Sequence, residues 1–291
     1  MGTVTILDQI QEKVKSLSTL SAVAARLLKL VGDNDHSLKD VVKVIETDAA
    51  LTTKVLRVAN SAAYGRGRQI TSVQRAIAHL GEIMVVSIAV GSCTEKMFNS
   101  PLEGYNAEAG ELWDHSLRTA IAARKVARYT LKSINPDVAF TGGLLHDIGK
   151  SILSEFLAEN ANKVLELYGK GEAYDYLDAE RDMIGTDHAQ VGFALAQQWS
   201  LPETLTDCIR HHHKPSACQE ENRHLVYTVH IADFISMMGG TGTGSDSFAY
   251  TLDADLPKHI SMRKKDFERV MLEVHEEFVI AKASAIVAGG E

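Results

Sequence analysis

The feature that most constrains this chain is a spacing. From Leu17 to Val31 the apolar residues Leu20, Val23, Leu27, Leu30 and Val31 recur every three or four positions, which places them on one face of an α-helix. The same period returns along the chain. A second helix is expected over Leu38–Glu46, and Asp48 stands at the N-cap position of a third that carries Leu51, Val55, Leu56 and Val58. After a Gly/Ser/Arg-rich break, Ser72 can cap a helix that runs to Leu80 and stops at Gly81, and a long apolar helix follows from about Glu82 to Phe98.

Residues 99–110 (NSPLEGYNAEAG) collect turn formers and mark the expected boundary between two lobes, 1–104 and 105–291. The second lobe again reads as helices, over Leu112–Leu131, Pro136–Phe156, Asp187–Trp199, Pro202–His211, Leu225–Met238 and Asp266–Val287, with no competing strand alternation. The expected class is all-α. The segment 239–245 (GGTGTGS) reads as a flexible loop, and Met237, Met238, Trp113 and Trp199 as core filling.

Composition narrows the function. A net charge of −8 argues against a default role in binding nucleic acid, which needs a basic face. Cys93, Cys208 and Cys218 are odd in number and form no CxxC pair, so neither a disulfide framework nor a cysteine zinc site is expected. The N-terminus lacks the pattern of a signal peptide. The longest apolar run, Ile83–Val90, is far short of the roughly 20 residues that span a bilayer, so the expected location is the cytoplasm.

The chemistry lies in the histidines. In the second lobe His115 (LWDHS), His146 with Asp147 (GLLHDIGK), His188 (TDHAQVG), the run His211, His212 and His213 (IRHHHKP) and Asp233 (HIADF) sit beside small or apolar neighbours. Any one of them alone is best read as an ordinary hydrogen-bonded histidine or paired carboxylate. Together they form a donor set of imidazoles and carboxylates that suits divalent first-row metals, contributed from several helices. His146 and Asp147 would point about 100° apart on a helix. Both reach one centre only if that helix passes it side-on, which Gly142 and Gly143 permit. Lys150 follows His146 by four residues, on the same face.

The chain resembles the HD superfamily of metal-dependent phosphohydrolases, and within it the HDOD branch of bacterial signal transduction. The likeness rests on LSTLSAVAARLLKLVGDND, ETDAALTTKVLRVANSAAYG and ITSVQRAIAHLG in the first lobe, and on LWDHS, FTGGLLHDIGK, GTDHAQVGFALAQQWSLPE, IRHHHKP and HIADF in the second. It implies an HD-like helical bundle preceded by an N-terminal helical lobe, with a single HDOD unit over about 15–240. It further implies two divalent metals (iron, manganese, nickel or zinc). His115, His146, Asp147 and Asp233 would hold the first, and Asp147 would bridge to a second held by His188, His212 and His213. His211 has no counterpart among these ligands. Lys150, with Asp147, would serve catalysis by touching the phosphate of a nucleotide or other phosphoester.

The HDOD branch is generally regulatory and many members have lost metal ligands, whereas this sequence keeps the full set. After its paired histidines the chain reads HHHKPSACQEENRHL, without the Gly-Tyr-Pro element of the related cyclic-di-GMP phosphodiesterases. The leading expectation is a metal-binding signalling module acting on a protein partner. A metal-dependent phosphohydrolase stands second. Third is a non-metal helical adaptor that docks through Val58, Ala59, Tyr64 and the Arg66-Gly67-Arg68 turn, a segment otherwise read as a solvated loop.

Overall fold

The computed structural model describes residues 5–17, 22–31, 37–61, 64–65, 69–160, 175–247 and 250–289, and among them it contains helices and no strand. Leu20 and the Arg66-Gly67-Arg68 segment lie outside the described residues. In chain order the α-helices are α1 (Ile6–Ser16), α2 (Ala22–Val31), α3 (Leu38–Glu46), α4 (Ala49–Ala59), α5 (Val73–Leu80), α6 (Glu82–Asn99), α7 (Glu111–Val126), α8 (Pro136–Leu145), α9 (Lys150–Leu157), α10 (Tyr176–Ile184), α11 (His188–Gln198), α12 (Glu203–His211), α13 (Arg223–Met238) and α14 (Lys264–Gly289).

The caps anticipated from sequence are in place. Asp48 accepts from Leu51 N at the start of α4, Ser72 accepts from Arg75 N at the start of α5, and Gly81 ends α5 with φ +88°, a conformation open to glycine. In the N-terminal part α2 to α6 pack on one another, burying Leu27, Val41, Ile45, Val55, Ile77 and Val85. In the C-terminal part α7 is the central strut, packed against α8, α13 and α14, and α6 joins the two parts through α7 and α8.

Two features depart from the sequence pattern. Helix α1 packs on α9 and α11, far along the chain, with Lys13 paired to Glu155 at 2.8 Å and Trp199 Nε1 donating to the Leu17 carbonyl at 3.2 Å. The segment expected as one helix over Pro136–Phe156 is broken at 146–149, where Ile148 N and Lys150 N close short bonds to the carbonyls three residues back. The cause is a close crossing: a Cβ on Gly149 would lie 1.9 Å from the His188 carbonyl oxygen and 2.6 Å from Gly192 N, so the chain turns against the start of α11.

Met237 and Trp199 are core residues, but Met238 is exposed. Ala59 is buried, and Val58 and Tyr64 are half-buried against the core, so these three present little free surface. Among the described residues no helix is long and apolar enough to cross a membrane.

Candidate metal centre

Five pieces of chain deliver the expected donors to one point. His115 comes from the second turn of α7, and His146 and Asp147 from the turn between α8 and α9. His188 is the first residue of α11, whose N-cap Asp187 accepts from Gln190 N. His212 and His213 follow the end of α12, and Asp233 faces inward from the middle of α13. The turn at 146–149 replaces the side-on helix as the reason both His146 and Asp147 reach the centre. Gly143 lets α8 lie close to α7: its Cβ would meet Thr119 O and Ala120 Cα at 2.9 Å.

The donors form two groups that share Asp147. On one side Asp147 Oδ2 is 3.5 Å from both His115 Nε2 and His146 Nε2, which lie 3.3 Å from each other. Asp233 Oδ1 joins them at 3.0 Å from His115 and 3.7 Å from His146. On the other side Asp147 Oδ1 is 3.4 Å from both His188 Nε2 and His212 Nε2, and His188 Nε2 is 3.1 Å from His213 Nε2. Metal bonds of about 2.0–2.2 Å put neighbouring donors about 3.0–3.5 Å apart, the separation seen here.

Tautomers point the same way. Thr241 O accepts from His115 Nδ1 at 2.9 Å, Gly143 O from His146 Nδ1 at 2.8 Å and Ile209 O from His212 Nδ1 at 2.8 Å. With the proton held on Nδ1, each neutral ring turns an Nε2 lone pair toward the centre. Asp147 Oδ1 and His212 Nε2 are buried and have no hydrogen-bond partner, although an unpaired buried polar atom costs about 1–3 kcal/mol. A cation between them would satisfy both. Charge makes the same demand: Asp147, Asp233 and Asp246 are three buried carboxylates around one ammonium, Lys150, and Glu180 is a fourth buried carboxylate behind His188. The residues therefore fit a metal on their own chemistry.

Protonation follows from these neighbours. Burial works to lower the His115 pKa, but the hydrogen bond and charge of Asp233, with Asp147 behind, leave it raised. His188 is raised against burial in the same way by Glu180. Burial pushes His212 down to about 4 and holds His213 well below the usual range. Asp147 stays well below the usual carboxylate value, the charge on Lys150 overcoming burial, and Asp233 does so through its bonds to the imidazoles.

Sequence reasoning missed the groups that hold the donors in place. Glu180 on α10 is fully buried and accepts three hydrogen bonds: from Tyr105 Oη at 2.6 Å, from His188 N at 2.8 Å and from His188 Nδ1 at 2.9 Å. Arg181 beside it binds Asp187 at 2.6 Å and so ties α10 to the cap of α11. His230 Nδ1 donates to the His212 carbonyl at 2.6 Å, and Tyr250 stacks on His213 with centroids 3.9 Å apart. The segment 239–245, expected as a flexible loop, is partly buried and structural, since it supplies Thr241 O to His115 and Thr243 to Lys150, and Asp246, the next residue, also pairs with Lys150.

Lys150 is 2% exposed, and its three protons are directed at Asp147 Oδ2 (2.7 Å), Asp246 Oδ2 (2.6 Å) and Thr243 Oγ1 (2.8 Å). His211 lies apart from the donors. It lines a separate surface cavity of about 610 Å³ with Phe193, Glu203 and Arg210. Six of the seven metal candidates are closed in: His115, His146, Asp147, His188 and His212 are at most 1% exposed and Asp233 5%, while His213 is half-buried.

An all-helical bundle with a His/His-Asp/His/His-His/Asp set around one shared carboxylate defines the class of HD-type domains. The chain belongs to the HDOD family, whose domain model matches residues 17–215. An HDOD domain protein of unknown function from Geobacter sulfurreducens is similar over 95% of this chain and 96% of its own, at 26% identity and a TM-score of 0.70. A Shewanella amazonensis protein provisionally named a phosphohydrolase shares the fold over 94% of this chain and 97% of its own, at 23% identity and a TM-score of 0.70. An uncharacterized Treponema pallidum protein is 26% identical over 236 residues, 79% of this chain, and the chain spans 44% of that relative's length.

Proposed function

We propose that this HDOD chain is a metal-binding regulatory module of bacterial signalling, in which two divalent cations bridged by Asp147 hold the helices of the C-terminal part in one arrangement. One observation carries the reading. The two oxygens of a single buried carboxylate face separate groups of imidazole nitrogens, inside a centre almost closed to solvent. His115, His146 and Asp233 would hold one cation and His188, His212 and His213 the other. Such ions would join α7, α11, α12, α13 and the turn at 146–149. Their binding energy would then favour one packing of these elements, which a protein partner can sense through differential affinity for two states.

The test is elemental analysis of protein purified without a polyhistidine tag, run beside Asp147→Ala. The reading requires two divalent ions per chain in the native protein and the loss of both in the variant. Loss of one ion only would remove the bridging role, and a metal-free native protein after expression in metal-replete medium would remove the reading itself.

A metal-dependent phosphohydrolase is the second reading, favoured by the position of Lys150 beside the shared carboxylate. When bound, the cations would supply water activation and charge neutralisation. The chain's own contribution would be the Lys150 ammonium, placed by Asp147 to hold an anionic group. Turnover of a member of a nucleotide and phosphoester panel by metal-loaded protein supports this reading, and silence with manganese, iron, nickel and cobalt opposes it.

A further inference from the structure

Lys150 has one carboxylate more than its charge requires. Asp147 and Asp246 both pair with it, at 2.7 and 2.6 Å. Three of the four buried carboxylates have other tasks: Asp147 and Asp233 face the imidazoles, and Glu180 holds His188 and Tyr105. Asp246 has a different setting. It sits in the segment 241–247, fully buried, and collects three donors: the Lys150 ammonium, the Thr243 hydroxyl at 2.9 Å and the Tyr250 hydroxyl at 2.7 Å. An ammonium and two hydroxyls converging on one carboxylate beside Asp147 have the composition of an oxyanion site.

We infer that Asp246 is an internal stand-in for a phosphate-type oxyanion, and that the 241–247 segment, which carries both Asp246 and Thr243, is a strap that must withdraw before such a ligand can bind at Lys150 and Tyr250. The inference rests on the reading of the Asp147 cluster as a regulatory metal centre, and it names the ligand chemistry and the moving part. The strap's anchorage suits this role. Ser245 fastens it through N and Oγ to the Tyr105 carbonyl, at 2.7 and 2.9 Å, and through Oγ to Tyr176 Oη at 3.2 Å. Gly240 and Gly244, at φ +85° and +94°, flank its descent into the core.

Withdrawal would also reach the metal donors, because Thr241 O orients His115 from the same segment. Anion binding and the geometry of His115 are thereby coupled through one stretch of backbone. A strap that is closed in most molecules lowers apparent anion affinity by the fraction that is open.

The experiment is calorimetric titration of inorganic phosphate into metal-loaded wild type, Asp246→Asn and the double variant Asp246→Asn/Lys150→Met, with metal content measured on each sample. Asp246→Asn is expected to bind phosphate about tenfold or more tighter than wild type, and the double variant to lose that gain. Ser245→Ala, which loosens the strap without touching Lys150 or Tyr250, is expected to show a smaller gain in the same direction. A folded Asp246→Asn that binds phosphate no tighter than wild type overturns the inference. Should Asp246→Asn fail to fold, an unchanged affinity in Ser245→Ala does so. A protein that retains its metals but shows no gain sinks the strap alone. A gain in a protein that holds no metal sinks only the metal reading.

Discussion

Glu180→Gln tests whether the candidate metal donors are positioned from outside. Glu180 accepts from Tyr105 Oη, His188 N and His188 Nδ1 and fixes the His188 tautomer with Nε2 toward Asp147. A glutamine of the same length keeps one carbonyl oxygen and turns an NH2 toward at least one of these donors. A buried donor left unpaired costs about 1–3 kcal/mol of stability. Loss of the carboxylate behind a ligating histidine costs about 10–100-fold in metal affinity, or about 1.4–2.7 kcal/mol. The assay is metal titration against a chromophoric chelator at fixed pH, with circular dichroism to confirm the fold. Glu155→Gln, which removes a largely exposed partner of Lys13, serves as a control and should bind like wild type. A folded Glu180→Gln that binds metal within about twofold of wild type would refute the argument.

Three further outcomes follow from the geometry. Gly149→Ala would drive a Cβ into the His188 carbonyl; it should cost about 3 kcal/mol or more, seen as a lower denaturant midpoint, and an unchanged midpoint would show that the turn yields freely. In metal-free protein the stability contributed by protonated His115 and His188 is fully present below the ordinary value of 6.5 and fades as pH rises through their raised pKa values. Metal must displace those protons, so the increment in melting temperature on adding metal should grow with pH over that window, and an increment that shrinks contradicts the assignment. His211→Ala should leave metal content and affinity unchanged, since His211 lies in neither donor group; loss of metal in that variant would mean that the ligands are drawn from the wrong pair of the triple histidine.

What could be read in the sequence follows from how each signal is written. Helix caps are local, so Asp48, Ser72 and Gly81 stand where their residue types predicted. The gathering of the candidate donors is also legible, because imidazole next to small residues in apolar helices is unusual chemistry that only a conjunction explains. The break at 146–149 was hidden, because its cause, the crossing of Gly149 over His188, joins positions about forty residues apart. Glu180 was hidden in the same way. It lies on the buried face of α10, a helix the sequence reading did not name, and eight residues before His188 across a turn it looks like any surface glutamate. Its role exists because Arg181, its neighbour, clamps the Asp187 cap and brings α10 against α11.

The least legible element was the segment 239–245 with Asp246 directly after it, and the reason bears on function. Gly, Thr and Ser are the composition of a solvated loop, and in most chains that reading would stand. Here the same small residues let backbone enter the core. Thr241 gives its carbonyl to His115, Gly244 passes so close to Tyr105 O that a Cβ would lie 2.1 Å away, and Asp246 is buried on Lys150. A segment with little side-chain bulk contributes little apolar burial of its own and is held mostly by polar bonds to Tyr105, Lys150 and Tyr250. Such bonds exchange readily for those of an incoming anion, whereas a packed helix would first have to give up its apolar contacts. The composition that suggested a passive loop is thus what a releasable cover over this centre requires.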